Sequence, residues 1–87
     1  MLRRITYFPM PTIARVGPYR VYFYSHDVAE PSHVHVDRDE KTAKFWLTPV
    51  ALARNIGFRP RELRDVHRMV YERASEFVKA WNEEFGT

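Results

Sequence analysis

Apolar and polar positions follow two different periods along this chain of 87 residues. Up to about Thr48 they alternate, the two-residue period of strands, and from Pro60 onward they recur every three or four residues, the period of a helix. In the first half, β-branched and aromatic runs at 12–16, 19–25, 33–37 and 42–47 predict four short strands. Gly17-Pro18, a loop around Pro31, and Arg38-Asp39-Glu40-Lys41 separate them, so the expected arrangement is an antiparallel meander.

Alternation gives each strand two faces. Val21, Phe23, Val34, Val36, Ala43, Phe45 and Leu47 point one way and form the expected core face. The opposite face carries Arg20, Tyr22, Tyr24, His33, His35, Lys44 and Trp46. The short connection at 38–41 predicts a register with Asp37 opposite Thr42, His35 opposite Lys44 and His33 opposite Trp46. A slip of one residue would turn the histidines into the core, so the hydrophobic pattern itself selects this register.

In the second half, Thr48-Pro49 reads as an N-cap followed by proline at the first helical position, and Gly57 as a C-terminal cap. A short helix is expected over 49–55, with a continuing strand as the alternative. Pro60 and Glu62 then open a long helix that runs to about Phe85 and stops at Gly86. Leu63, Val66, Val70, Ala74, Phe77, Val78, Trp81 and Phe85 make one apolar stripe along it. The expected fold is α+β: a four-stranded antiparallel meander, a short helix, and a long amphipathic helix across one sheet face, the other face left open. Residues 1–9 read as an N-terminal extension and 10–87 as a single domain.

Composition narrows the class. The absence of cysteine removes disulfides and thiolate metal sites and suits a reducing cytoplasm. No apolar run approaches the roughly 18 residues of a membrane span. Residues 1–71 carry 12 basic and 7 acidic side chains, and 11 of the chain's 14 cations are arginine, whose planar fork suits phosphate and bases. An anionic partner is the expectation; the plainer reading is a solvated basic surface.

The polar cluster Ser25-His26-Asp27, Pro31, His33-Val34-His35 carries the candidate chemistry. A His-x-His pair on a strand puts both rings on one face about 6–7 Å apart. With His26 or Asp27 reaching over, three metal ligands would be assembled. Lys44, opposite His35, argues against a cation there: the repulsion is about 1 kcal/mol in water and about 4 kcal/mol at an effective dielectric of 20. The expectation is therefore no metal and no cofactor. The same set suits metal-independent RNA cleavage, with His33 or His35 as base or acid and Lys44 and Arg20 on the phosphate. Tyr22, Tyr24 and Trp46 would stack on unpaired bases, which allows RNA binding without cleavage. The alternative is a solvated strand face on which His and Tyr are simply good strand formers.

A different reading starts from 52–58 leading into Leu63 and Val66, a spacing like that between the two helices of a helix-turn-helix. Arg59, Arg61, Arg64 and Arg68 would then lie on a DNA-recognition helix or meet an acidic protein. His67, near the apolar stripe, reads as a boundary histidine.

Met10-Pro11-Thr12-Ile13, Tyr22-Phe23-Tyr24-Ser25-His26-Asp27, Pro31, His33-Val34-His35-Val36, Ala43-Lys44-Phe45-Trp46-Leu47, Pro49, Gly57-Phe58, Arg61-Glu62-Leu63 and Trp81 occur in this order. From Met10 to its end the chain thus resembles a small bacterial family catalogued as domain of unknown function 4160. That resemblance implies a stand-alone prokaryotic protein encoded beside a small cognate protein in a toxin–antitoxin-like arrangement, and it brings no established catalytic residues. Arg59 departs from the family pattern, which has a serine cap there. The combined expectation is a cytoplasmic protein of toxin–antitoxin type that binds or cuts RNA on its open sheet face, with a DNA-binding or protein-interaction module as the alternative.

Overall fold

The structure, a computed structural model, describes residues 12–86. The proposed extension at 1–9, and with it the boundary at residue 10, lies outside the described residues.

Five strands form one antiparallel sheet in sequence order: β1 (Ala14–Val16), β2 (Tyr19–Tyr22), β3 (His33–Arg38), β4 (Lys41–Leu47) and β5 (Val50–Ile56). Two helices follow, α1 (Pro60–Glu72) and α2 (Ala74–Phe85). The β3–β4 register is the expected one, with His33 opposite Trp46, His35 opposite Lys44 and Asp37 opposite Thr42. All seven side chains assigned to the core face are buried. They pack with Phe58, Val66, Met69, Val70, Phe77 and Trp81 into one cluster between sheet and helices. The helix stripe is therefore real, with Met69 added to it.

Three expectations need correction. The segment expected as a short helix is β5, which makes the sheet five-stranded rather than four-stranded. Thr48 and Pro49, joined by a cis peptide bond, form a two-residue turn between the paired residues Leu47 and Val50. Residues 50–56 are compatible with a helix locally, but pairing along the whole of β4 satisfies their backbone and overrides that preference. With a strand where its first helix should be, the helix-turn-helix reading loses its geometric basis.

Strand β2 ends at Tyr22 rather than continuing to residue 25, because a 3-10 turn, Ser25–Ala29, bends the chain back over the sheet. Its Asp27 N–H donates to the Tyr24 carbonyl at 3.1 Å and its carboxylate Oδ2 accepts from the Tyr24 N–H at 2.8 Å.

The long helix is broken at Arg73, whose φ of −111° and ψ of 15° leave the helical region. No proline or glycine marks this position. The break falls between Val70 and Ala74, so the four-residue spacing of the stripe passes through it unchanged. It lets α1 contact β4 and β5 while α2 contacts β3 and β4. The stop at Gly86 is as expected, at a φ of 70°.

Candidate functional site

The face of the sheet away from the helices is not open. The 3-10 turn carries Asp27 onto it, where Oδ2 lies 2.9 Å from His35 Nε2 and 3.0 Å from His33 Nε2. Asp27, His33 and His35 are 6%, 0% and 7% exposed, so this polar cluster is enclosed as thoroughly as the core. Burial alone would raise the Asp27 carboxyl, but the two imidazoles and the Tyr24 N–H outweigh it and hold the carboxyl well below its usual range.

Rings complete the enclosure. Tyr22 stacks on His35 at 5.3 Å between centroids, and Tyr24 meets the same ring edge-on at 4.9 Å. Trp46 and Trp81 flank His33 at 5.7 and 5.0 Å. Tyr22 is itself buried, its hydroxyl donating to Asp37 Oδ1 at 3.0 Å, and it is no free platform for a base. Burial, reinforced by hydrogen bonds to Tyr24 and Asp37, pushes its phenol above the usual tyrosine range. Arg20 lies over the Tyr22 ring at 4.3 Å and donates to Thr12. Tyr24 and Trp46 are half-buried and keep part of their surface in solvent.

Lys44 donates to Glu30 and lies 4.6 Å over the Trp46 ring. Its ammonium is thus held by a carboxylate and an aromatic face. Beside it is Arg54, a residue that sequence reasoning missed. Strand β5 pairs Lys44 with Arg54 but Phe45 with Leu52, so Ala53 is an extra residue in a β-bulge. Without the bulge, strict alternation would turn Arg54 toward the core face; the bulge re-aims it beside Lys44. Tyr22, His35, Lys44 and Arg54 then make one row across four strands. With Tyr24 and Ile56 they line a pocket of about 100 Å³.

The expected residues thus separate into three groups. Arg20, Tyr22, Tyr24, His35, Lys44 and Trp46 do share the outer face. His33 shares it too, but with no exposed surface it cannot meet a solvent-borne phosphate directly. The arginines at 59, 61, 64 and 68 lie elsewhere, all four exposed at and along α1. Arg59 and Arg61 border a groove of about 340 Å³ with Arg38, Lys41, Tyr19 and Glu62. There Glu62 accepts from Tyr19 at 2.8 Å, from Lys41 at 3.3 Å and from Arg38. Arg38 is the main cause that holds the Glu62 carboxyl down at about 2. His67 is exposed, its ring 5.3 Å from that of Phe45.

The sequence offers Asp27 as one of two possible partners for the histidines; its turn settles the choice. Arg54 gave no signal, because a bulge interrupts the alternation that would have exposed it. Among the described residues, no helix is long and apolar enough to cross a membrane.

No curated protein and no solved structure is matched by the chain. The family model described as domain of unknown function (DUF4160) matches residues 19–82, a span that runs from β2 through Asp27, the histidine pair and Arg54 into α2. The chain belongs to that family.

Proposed function

We propose that the protein binds RNA on its outer sheet face, as one member of a toxin–antitoxin-type pair in the bacterial cytoplasm. The observation that carries this reading is the bulge at Ala53, which places Arg54 directly opposite Lys44. Like charges in cross-strand positions destabilise a sheet, and a fold that turns an arginine toward a lysine gains from it when an anion arrives. Glu30 holds Lys44 in the free protein; a phosphate is the competing ligand. Tyr24 and Trp46 flank the row and retain surface on which an unpaired base can stack.

Binding rather than cleavage is what the geometry favours. Both histidines turn Nε2 toward Asp27 and His33 is fully enclosed, so neither offers that nitrogen to a substrate on the face. The cognate protein of the pair covers the same face, where Ile56 is 54% exposed at the pocket edge.

Fluorescence anisotropy with a short labelled single-stranded RNA tests the proposal. Lys44→Ala with Arg54→Ala removes two phosphate contacts, so the slope of log affinity against log salt falls by about 1.4. Wild-type affinity and slope in that double variant sink the reading. Loss of binding in Arg61→Ala with Arg64→Ala instead, on duplex DNA, moves the interface to α1.

A further inference from the structure

We infer that Asp27, His33 and His35 form a divalent-metal site, zinc above all, with Oδ2 of the aspartate and Nε2 of each histidine as the ligand atoms. These three atoms lie within 4.8 Å of one another. The aspartate–histidine edges of 2.9 and 3.0 Å already approach the roughly 3.3 Å edge of a tetrahedron built on zinc–ligand distances of about 2.0–2.1 Å.

The decisive atom is His33 Nε2. The other ring nitrogen, Nδ1, is 2.8 Å from the Pro31 carbonyl, which can only accept, so Nδ1 carries the hydrogen. In a neutral imidazole Nε2 then presents a lone pair. That lone pair faces a carboxylate oxygen at 3.0 Å, and Nε2 is the one enclosed side-chain polar atom among the described residues without a hydrogen-bond partner. Two acceptors turned toward each other in a dry site are stabilised by a shared cation, whether the proton through which the imidazole holds the carboxyl down or a metal that displaces it. A ligating histidine whose far nitrogen donates to a backbone carbonyl is the usual outer-shell arrangement of a metal centre, and here the carbonyl of Pro31 supplies it. On the other histidine the hydrogen at Nε2 gives way to the metal and moves to Nδ1, leaving that ring neutral as well.

Lys44, paired with His35 across the sheet, is a charge that opposes a cation here. In the fold that ammonium is held by Glu30 and the Trp46 face, and Glu30 Oε1 lies 3.8 Å from His33 Nδ1, adding negative charge on the metal's side of the balance. Tyr22, Tyr24 and the two tryptophans fix both rings and dry the site. Three protein ligands leave a fourth coordination position on the metal.

The inference stands apart from the RNA proposal, and its test contains no RNA. Zinc is titrated into the chelator-treated full chain while histidine ring nitrogens are followed by NMR and affinity is read by competition with a chromophoric chelator. The expected result is saturation at one equivalent with the shifts at His33 and His35 Nε2. Asp27→Asn should weaken zinc by more than the roughly 10–100-fold that loss of an outer-shell partner costs. The wild-type spectra decide the matter even where that variant folds poorly. Shifts confined to the exposed His26 and His67, or no saturation, overturn the assignment.

Discussion

Two carboxylates in this small protein each gather three partners, and they do so in opposite surroundings. Asp27, enclosed on the outer sheet face, meets two imidazoles and a backbone N–H. Glu62, in the groove at the start of α1, accepts from a phenol, a guanidinium and an ammonium. The formal charges are larger around Glu62, yet water screens them, and ion pairs of that kind contribute little. Around Asp27 the partners are softer, but nothing replaces them if the carboxylate is removed. The comparison shows that enclosure, more than the number or charge of partners, sets what a polar hub is worth.

The largest test of that contrast is Asp27→Ala with chelator present. It strands His35 Nε2 and the Tyr24 N–H in a dry site, at about 1–3 kcal/mol for each group left without a partner. A urea midpoint close to wild type would show that water enters the cluster and that the two hubs differ less than their burial implies.

A smaller effect is expected one step from the other hub. Gly57 has a φ of +102°, and a Cβ there would meet Lys41 Cγ at 3.2 Å, on the side chain that donates to Glu62. Gly57→Ala should cost roughly 1–2 kcal/mol from the backbone alone and displace Lys41 from the groove. The Asn55 side chain, bonded to both the N–H and the carbonyl of Phe58, holds this connection in place and limits how far it can relax. Combining Gly57→Ala with Glu62→Gln should then give less than the sum of the two, because both act on the Lys41 contact.

The two hubs also differ in how far the sequence reveals them. The β3–β4 hairpin is legible because alternation and the short connection between the strands specify the same register, and that register places His33 and His35 together. Asp27 is legible only as a possibility, since the turn that carries it depends on where β2 stops, at Tyr22, rather than on any period. Arg54 is hidden twice: its strand reads as a helix, and the bulge at Ala53 reverses the face on which it would be placed. The break at Arg73 leaves no trace because it preserves the stripe. Glu62 reads as an ordinary first-turn acid of α1, and nothing local announces that Tyr19, Arg38 and Lys41 converge on it. In each case the hidden part is set by where an element ends or what it packs against rather than by a period within it.

The smallest expected effect isolates Glu62 by pH. Arg38 first, then the Tyr19 hydroxyl and Lys41, stabilise its ionised form and lower its carboxyl from the ordinary 4.5 to about 2. The folded state therefore keeps the charge to lower pH than the unfolded chain does, so the contribution is fully present above pH 4.5 and is lost as pH falls toward 2. The denaturation midpoints of wild type and Glu62→Gln, measured down this range, should converge as the acid limit is approached. Because the hub is open to solvent, added salt should shrink the gap at neutral pH as well, whereas the loss caused by Asp27→Ala should hardly respond to salt. An equal salt response in the two variants would mean that the Asp27 cluster is as wet as the groove.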